Sequence, residues 1–168
     1  MHTREITAAL TTLFAELVTG AQPPGGGGAF VLNSGDIGLL RSLDKLSATD
    51  ASRSVNDGAS IAAHAQHLAF GLSLVNRWTV EGGDPYADAK WDEAWKTSVV
   101  NDSQWAGIRA NLRDEALQWL ASLNVDREVT TLELSGMIAT IAHVAYHLGA
   151  IRQIDKGIRG PTEGTFTE

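Results

Sequence analysis

Apolar residues recur along most of this chain at the three- and four-residue spacing of helices. Ile6, Leu10, Leu13, Phe14 and Leu17 lie on one helical face near the N-terminus. Thr3, Glu5 and Glu16 match the ends of that helix only loosely. Leu39, Leu40, Leu43 and Leu46 mark a short helix, with Asn33 and Asp36 spaced as a capping box before it. A long helix is predicted from about Ser60 to Val80, carrying Ile61, Ala65, Leu68, Leu72 and Val75 on one stripe and stopped at Glu81-Gly-Gly-Asp-Pro85. Asn101 or Asp102 caps another, which holds Trp105, Ile108, Leu112, Ala116, Trp119 and Leu120, and a last helix runs from about Leu132 to Lys156.

Between these stretches the pattern breaks. Pro and Gly interrupt the chain from Gly20 to Gly28, and Ser47 to Gly58 is polar and reads as a connection. Trp91 and Trp95, four apart, suit a short helix that packs its indoles onto the rest. No segment alternates for more than a few residues, and there is no internal repeat. Four main helices of roughly 17 to 25 residues predict an all-α, four-helix bundle, formed as a single domain over residues 1–168.

Composition narrows the functional classes. The chain has 168 residues, 43% hydrophobic and 20% charged, and is large enough to bury a core without disulfides or a metal. Its 13 basic and 20 acidic residues leave a net charge of −7 with no basic cluster, which argues against nucleic acid and anionic lipid as partners. There is no cysteine, so thiolate ligands, a Cys nucleophile and disulfides are excluded, in keeping with a reducing, cytoplasmic setting. The N-terminus lacks the pattern of a signal peptide. Leu134 to Ile151 carries no charged residue, but Ser135, Gly136, Thr140, His143, Tyr146, His147 and Gly149 make a helix buried among others the better reading than a membrane span.

The chemistry concentrates in histidines. His2 lies at the terminus; the other four form His64-x-x-His67 and His143-x-x-x-His147 on two of the predicted helices. Residues three or four apart share a helix face, so each pair can reach one ion, and a ring from a facing helix completes a three-nitrogen set with open coordination positions. Four core histidines without a task would be costly polar burial. At 100° per residue His64 falls inside the Ile61/Leu68/Leu72 stripe and His67 on its edge with Gly71, Leu74 and Trp78. Simple amphipathicity therefore selects His64. It also turns His143 and His147 away from a Leu134/Ile138/Ile141/Leu148 stripe, unless that helix is buried on several sides. The small residues Ala63 and Gly71, one turn either side of His67, favour His67 instead, because they leave room for an ion and a ligand.

Ser60-Ile61 followed by His67-Leu-Ala69, the run His143-x-x-x-His147-x-Gly149-x-Ile151-x-Gln153, and Trp91, Trp95 and Trp105 before Ile108-Arg-x-x-Leu112 together resemble the DinB-like superfamily. The likeness spans most of the chain. It implies a four-helix bundle with a three-histidine metal site on His67, His143 and His147, with His64 behind the ligands or substituting for one. The Pro-Pro-Gly-Gly-Gly-Gly loop and the Phe30-Val-Leu-Asn33 segment after it have no counterpart in that pattern.

Three neutral imidazoles suit Zn²⁺ or Ni²⁺, and also admit Fe²⁺ or Mn²⁺. The resemblance implies a transferase or isomerase using a low-molecular-weight thiol cosubstrate (mycothiol, bacillithiol or glutathione) on a small-molecule substrate; the alternative is a non-catalytic, stress-associated or dimer-forming bundle with a structural ion. Arg152 is a candidate for a substrate carboxylate, set against a solvated helix-end arginine, and Trp78 is equally a pocket wall or core. Tyr146 reads as packing. The glycine loop lacks the Gly-Lys-Ser/Thr ending of a phosphate cradle and reads as a linker. No nucleophile elbow or catalytic triad is spaced in the chain. Five tryptophans make an exposed apolar patch and a homodimer the expected state.

Overall fold

The computed structural model describes residues 3–21, 29–125 and 127–161, and these are all-helical: seven helices and a 3₁₀ turn cover 67% of the described residues, with no strand among them. His2 and the Pro/Gly loop 23–28 lie outside the described residues. The helices are α1 (Thr3–Thr19), α2 (Gly38–Asp44), α3 (Ala48–Ala51), α4 (Ile61–Glu81), α5 (Trp91–Ala94), α6 (Asp102–Leu123) and α7 (Thr131–Ile154), followed by a 3₁₀ turn at Lys156–Ile158.

Three of the four long helices begin where the sequence supplies caps. Ser60, Asn101 and Thr130 each accept a backbone N–H from the first turn of α4, α6 and α7, and Asn101 with Gln104, like Thr130 with Glu133, closes a reciprocal box. α4 packs most extensively on α6 and also on α7, while α1 packs on both α6 and α7, so the principal contacts close a ring around one core. Phe14, Leu17, Ile61, Leu68, Leu112, Trp105, Trp119 and Leu148 fill it with 2% or less of their surface exposed. Phe14 meets Trp119 edge-on at 4.4 Å, and Trp105 satisfies its indole N–H on the Leu46 carbonyl at 2.8 Å.

Several local expectations are corrected. Asn33 and Asp36 form no capping box: α2 starts after Ile37 without a side-chain cap, Asn33 donates to the Pro161 carbonyl, and Asp36 accepts from the Gly38 amide while pairing with Arg152. The stretch Ser47–Gly58 is not all connection, because Ser47 and Asp50 make the box that opens α3. α7 ends at Ile154, two residues early, where Asp155 turns its carboxylate onto the Gly157 amide. At Gly20 and Gly38, both at positive φ, the end of α1 meets the start of α2 backbone to backbone, and a Cβ on either would run into the other strand of the contact.

The Phe30–Asn33 segment is held by a residue that sequence reading placed only at a helix end. Glu16 is buried (5% exposed) and accepts the amides of Phe30, Val31 and Leu32, the last at 2.6 Å. Glu16→Gln keeps the shape but removes the charge and turns one acceptor into a donor. It is expected to cost about 1.5–3 kcal/mol, read as a lower chemical-denaturation midpoint with an unchanged secondary-structure spectrum.

α7 is not buried on several sides. Only a third of its most apolar window is covered, and Leu132, Ile138 and Tyr146 are 72%, 53% and 69% exposed. It is the one described helix long and apolar enough to cross a membrane by length and composition.

Candidate metal centre

The buried stripe of α7 is Met137, Ile141, Val144, Leu148 and Ile151, one step round from the stripe that periodicity selects. That rotation brings His143 and His147 to the edge facing α4. There His67, 6% exposed on the buried side of α4, meets them. His67 Nε2 lies 3.0 Å from His143 Nε2, and His147 Nε2 lies 2.9 Å from the same atom. One ring nitrogen from each of the three lies within 4.8 Å of the others.

These contacts cannot all be hydrogen bonds. A neutral imidazole nitrogen carries either one hydrogen or one lone pair. His143 Nε2 can therefore make a full hydrogen bond to only one of its two neighbours, and the other is left without one. His67 Nδ1 is also buried without a hydrogen-bond partner. A cation between the three lone pairs removes the conflict. Around a tetrahedral ion with bonds of 2.0–2.1 Å, nitrogens sit about 3.3–3.4 Å apart, so the 2.9 and 3.0 Å edges open by a few tenths of an ångström and the His67–His147 edge, within 4.8 Å, draws in toward the same length. The residues present fit a three-imidazole cation site.

His64 stands outside the triad. Its Nδ1 lies 2.8 Å from His147 Nδ1, the ring nitrogen opposite the one facing His143. With His147 Nε2 directed inward, Nδ1–H can donate to His64, which fixes the tautomer and rotation of His147. α5 supplies the roof. Trp95 stacks on His67 with centroids 4.1 Å apart and 24° between planes and also reaches His64 and His147, while Trp91 lies 5.4 Å from His67. Their i, i+4 spacing signalled a packed pair; that the pair would pack on imidazoles had no sequence signal.

This cover keeps the rings uncharged. Burial, then the neighbouring His143 and His64, pushes His67 down to about 4; burial and then the other three rings push His147 down to about 3, and burial lowers His64 and His143 as well. Below its ordinary pKa near 6.5 the unfolded chain takes up protons that the folded protein refuses. These groups therefore contribute full stability above pH 6.5 and lose it as pH falls from 6.5 toward 4 and 3. The metal-free protein is expected to show a denaturation midpoint that drops across that window; a midpoint unchanged from pH 7 to 4.5 would contradict neutral burial.

The remaining candidates separate. Trp78 lines a cavity of about 600 Å³ between α4, α7 and residues 83–91, into which His143 also faces. Arg152 neither solvates nor reaches that cavity. It is buried against Asp36 at 2.8 Å, and both border a different cavity of about 280 Å³. Tyr146 is exposed, with its ring edge-on to His147 at 5.0 Å, and Gln153 accepts from Arg159. No family model, curated protein or solved structure matches the chain.

Proposed function

We propose that this chain is a DinB-like four-helix bundle that holds a divalent ion, Zn²⁺ or Ni²⁺ before Fe²⁺ or Mn²⁺, on His67, His143 and His147. We further propose that it acts in the cytoplasm as a thiol-dependent transferase or isomerase on a small molecule. The single observation carrying the reading is the approach of His67 Nε2 and His147 Nε2 to His143 Nε2, at 3.0 and 2.9 Å. An ion on three neutral ligands keeps its full charge and acidifies a bound water or thiol. The protein's own part is to aim His147 through His64, to shed water under Trp91 and Trp95, and to leave His143 facing a cavity. Because the chain has no cysteine, any thiol must arrive with a cosubstrate. The test is metal analysis of the purified protein, then cobalt substitution: added thiol is expected to shift the d–d spectrum, and an unchanged spectrum at saturating thiol refutes the thiol-dependent reading.

A structural ion in a dimer-forming module is the second reading, supported by the exposed, uncharged face of α7 at Leu132, Ile138 and Tyr146. Structural zinc takes a fourth protein ligand, and His64, the remaining ring at the cluster, lies on the far side of His147. A spectrum of four protein nitrogens with no exchangeable ligand would favour this second reading.

A further inference from the structure

The cavity beside His143 has a chemical character of its own. At about 600 Å³ it falls within the range of small-ligand sites. Leu68, Leu72, Val75 and Val144 form its floor, all buried. Three aromatic rings form a row along one wall: Trp78 stands perpendicular to Tyr86 at 6.0 Å, and Tyr86 lies parallel to Trp91 at 6.4 Å, 7° between planes. The hydroxyls of Ser135 and Thr140 spend their hydrogens on the α7 carbonyls of Thr131 and Gly136. Among the described residues no lysine or arginine lines the space, and the only charged side chain that does is Asp84, exposed and already accepting from the Tyr86 amide. An anion would lose its water here and meet no cationic side chain among the described lining residues.

Two glycines shape the cavity. A Cβ on Gly136 would sit 2.5 Å from the Trp78 ring, so the indole lies directly against α7 as a wall. A Cβ on Gly71 would rest 3.7 Å from His143 Cε1 and 3.9 Å from Trp91, in ordinary contact. Gly71 therefore keeps open the passage between the aromatic wall and the imidazole.

We propose that this cavity binds an uncharged, ring-bearing organic molecule and presents it to the histidine centre through the gap at Gly71. The presentation rests on the metal reading given above; the binding does not. The aromatic wall supplies stacking surface, the floor supplies apolar burial, and in the metal-free protein the carboxylate at the mouth, with no lysine or arginine among the described lining residues, discriminates against acids.

The experiment titrates the metal-free full-length protein calorimetrically with 2-naphthalenemethanol and with 2-naphthoate, one ring system with and without charge. The alcohol is expected to bind at least about ten-fold more tightly, a difference of about 1.4 kcal/mol. Gly71→Phe, which fills the gap, is expected to weaken the alcohol by at least about ten-fold. Ala139→Trp, from the exposed part of the α7 lining, serves the same purpose if the first variant does not fold. Equal binding of naphthoate, or alcohol binding untouched by the folded variant, overturns the proposal. If the wild-type protein takes up zinc but no alcohol, the cavity assignment fails and the metal reading stands; if it takes up alcohol but no zinc, the reverse holds.

Discussion

His147→Ala is expected to abolish stoichiometric zinc binding while leaving the helical spectrum intact. His147 offers Nε2 to the cluster and Nδ1 to His64, so its removal takes away a ligand and disconnects the ring that orients it. Loss of an outer-sphere partner alone typically costs 10- to 100-fold in metal affinity, so loss of the ligand itself should exceed about 100-fold. Stability reports the same event. Zinc a thousand-fold above its dissociation constant stabilises a protein by about 4 kcal/mol, which for a chain of this size is roughly 8–16 °C in Tm. The wild type should show that shift and the variant none. The metal-free variant should stay folded at room temperature, because the core of Phe14, Ile61, Leu112, Trp119 and Leu148 is packed without any ion. A zinc shift that survives the substitution would remove His147 from the site; an unfolded variant would show that the ring supports the fold itself.

The largest effect on stability is expected from Asp36→Ala. Asp36 and Arg152 are joined at 2.8 Å with side chains 1% and 6% exposed, and the same carboxylate oxygen accepts the Gly38 amide at the start of α2. Removing one partner of a buried pair leaves a charge in a medium that solvates it poorly, at a cost of about 3–5 kcal/mol. That corresponds to roughly 6–20 °C in Tm. Zinc stoichiometry should be unchanged, since neither residue lines the cavity beside His143. The two variants thus separate in opposite directions: one loses metal and keeps stability, the other loses stability and keeps metal. A drop of less than 1 °C for Asp36→Ala would mean that the pair is not buried in solution.

Much of the helical architecture was readable because it depends on neighbours in sequence. The Asn101 cap, the Gly82 stop and the three- and four-residue apolar spacing all act within one or two turns, and α4 and α7 begin and end, and α6 begins, within a few residues of where the sequence reading put them. The weaker signals failed where a distant partner competed. Asn33 and Asp36 have capping-box spacing, yet Pro161 and Arg152 claim their side chains from across the chain. Glu16 resembled a helix-end acid and serves instead as an anchor for amides 14 to 16 residues away.

The histidines divide along the same line. That two i, i+3 and i, i+4 pairs can each offer a common face follows from helical geometry and was legible in the residues themselves, whereas the space at Gly71, expected beside His67, faces His143 and Trp91. Which ring joins which was not. The wheel favoured His64 and turned His143 and His147 outward, because a periodicity argument ranks faces by hydrophobicity and assumes the most apolar face meets the core. α7, which packs on α1 and α4, instead turns Met137, Val144 and Ile151 to its buried side, and that rotation carries both histidines to the seam. The sequence by itself determined that the chain is helical, where its long helices lie, and that its nitrogen ligands come in pairs. Only the tertiary structure decided that His67, His143 and His147 share one point, that His64 stands behind them, and that Arg152 belongs to Asp36. The reason is physical: spacing specifies relations within one helix, whereas the approach of two helices is chosen by the summed burial of side chains that no local pattern contains.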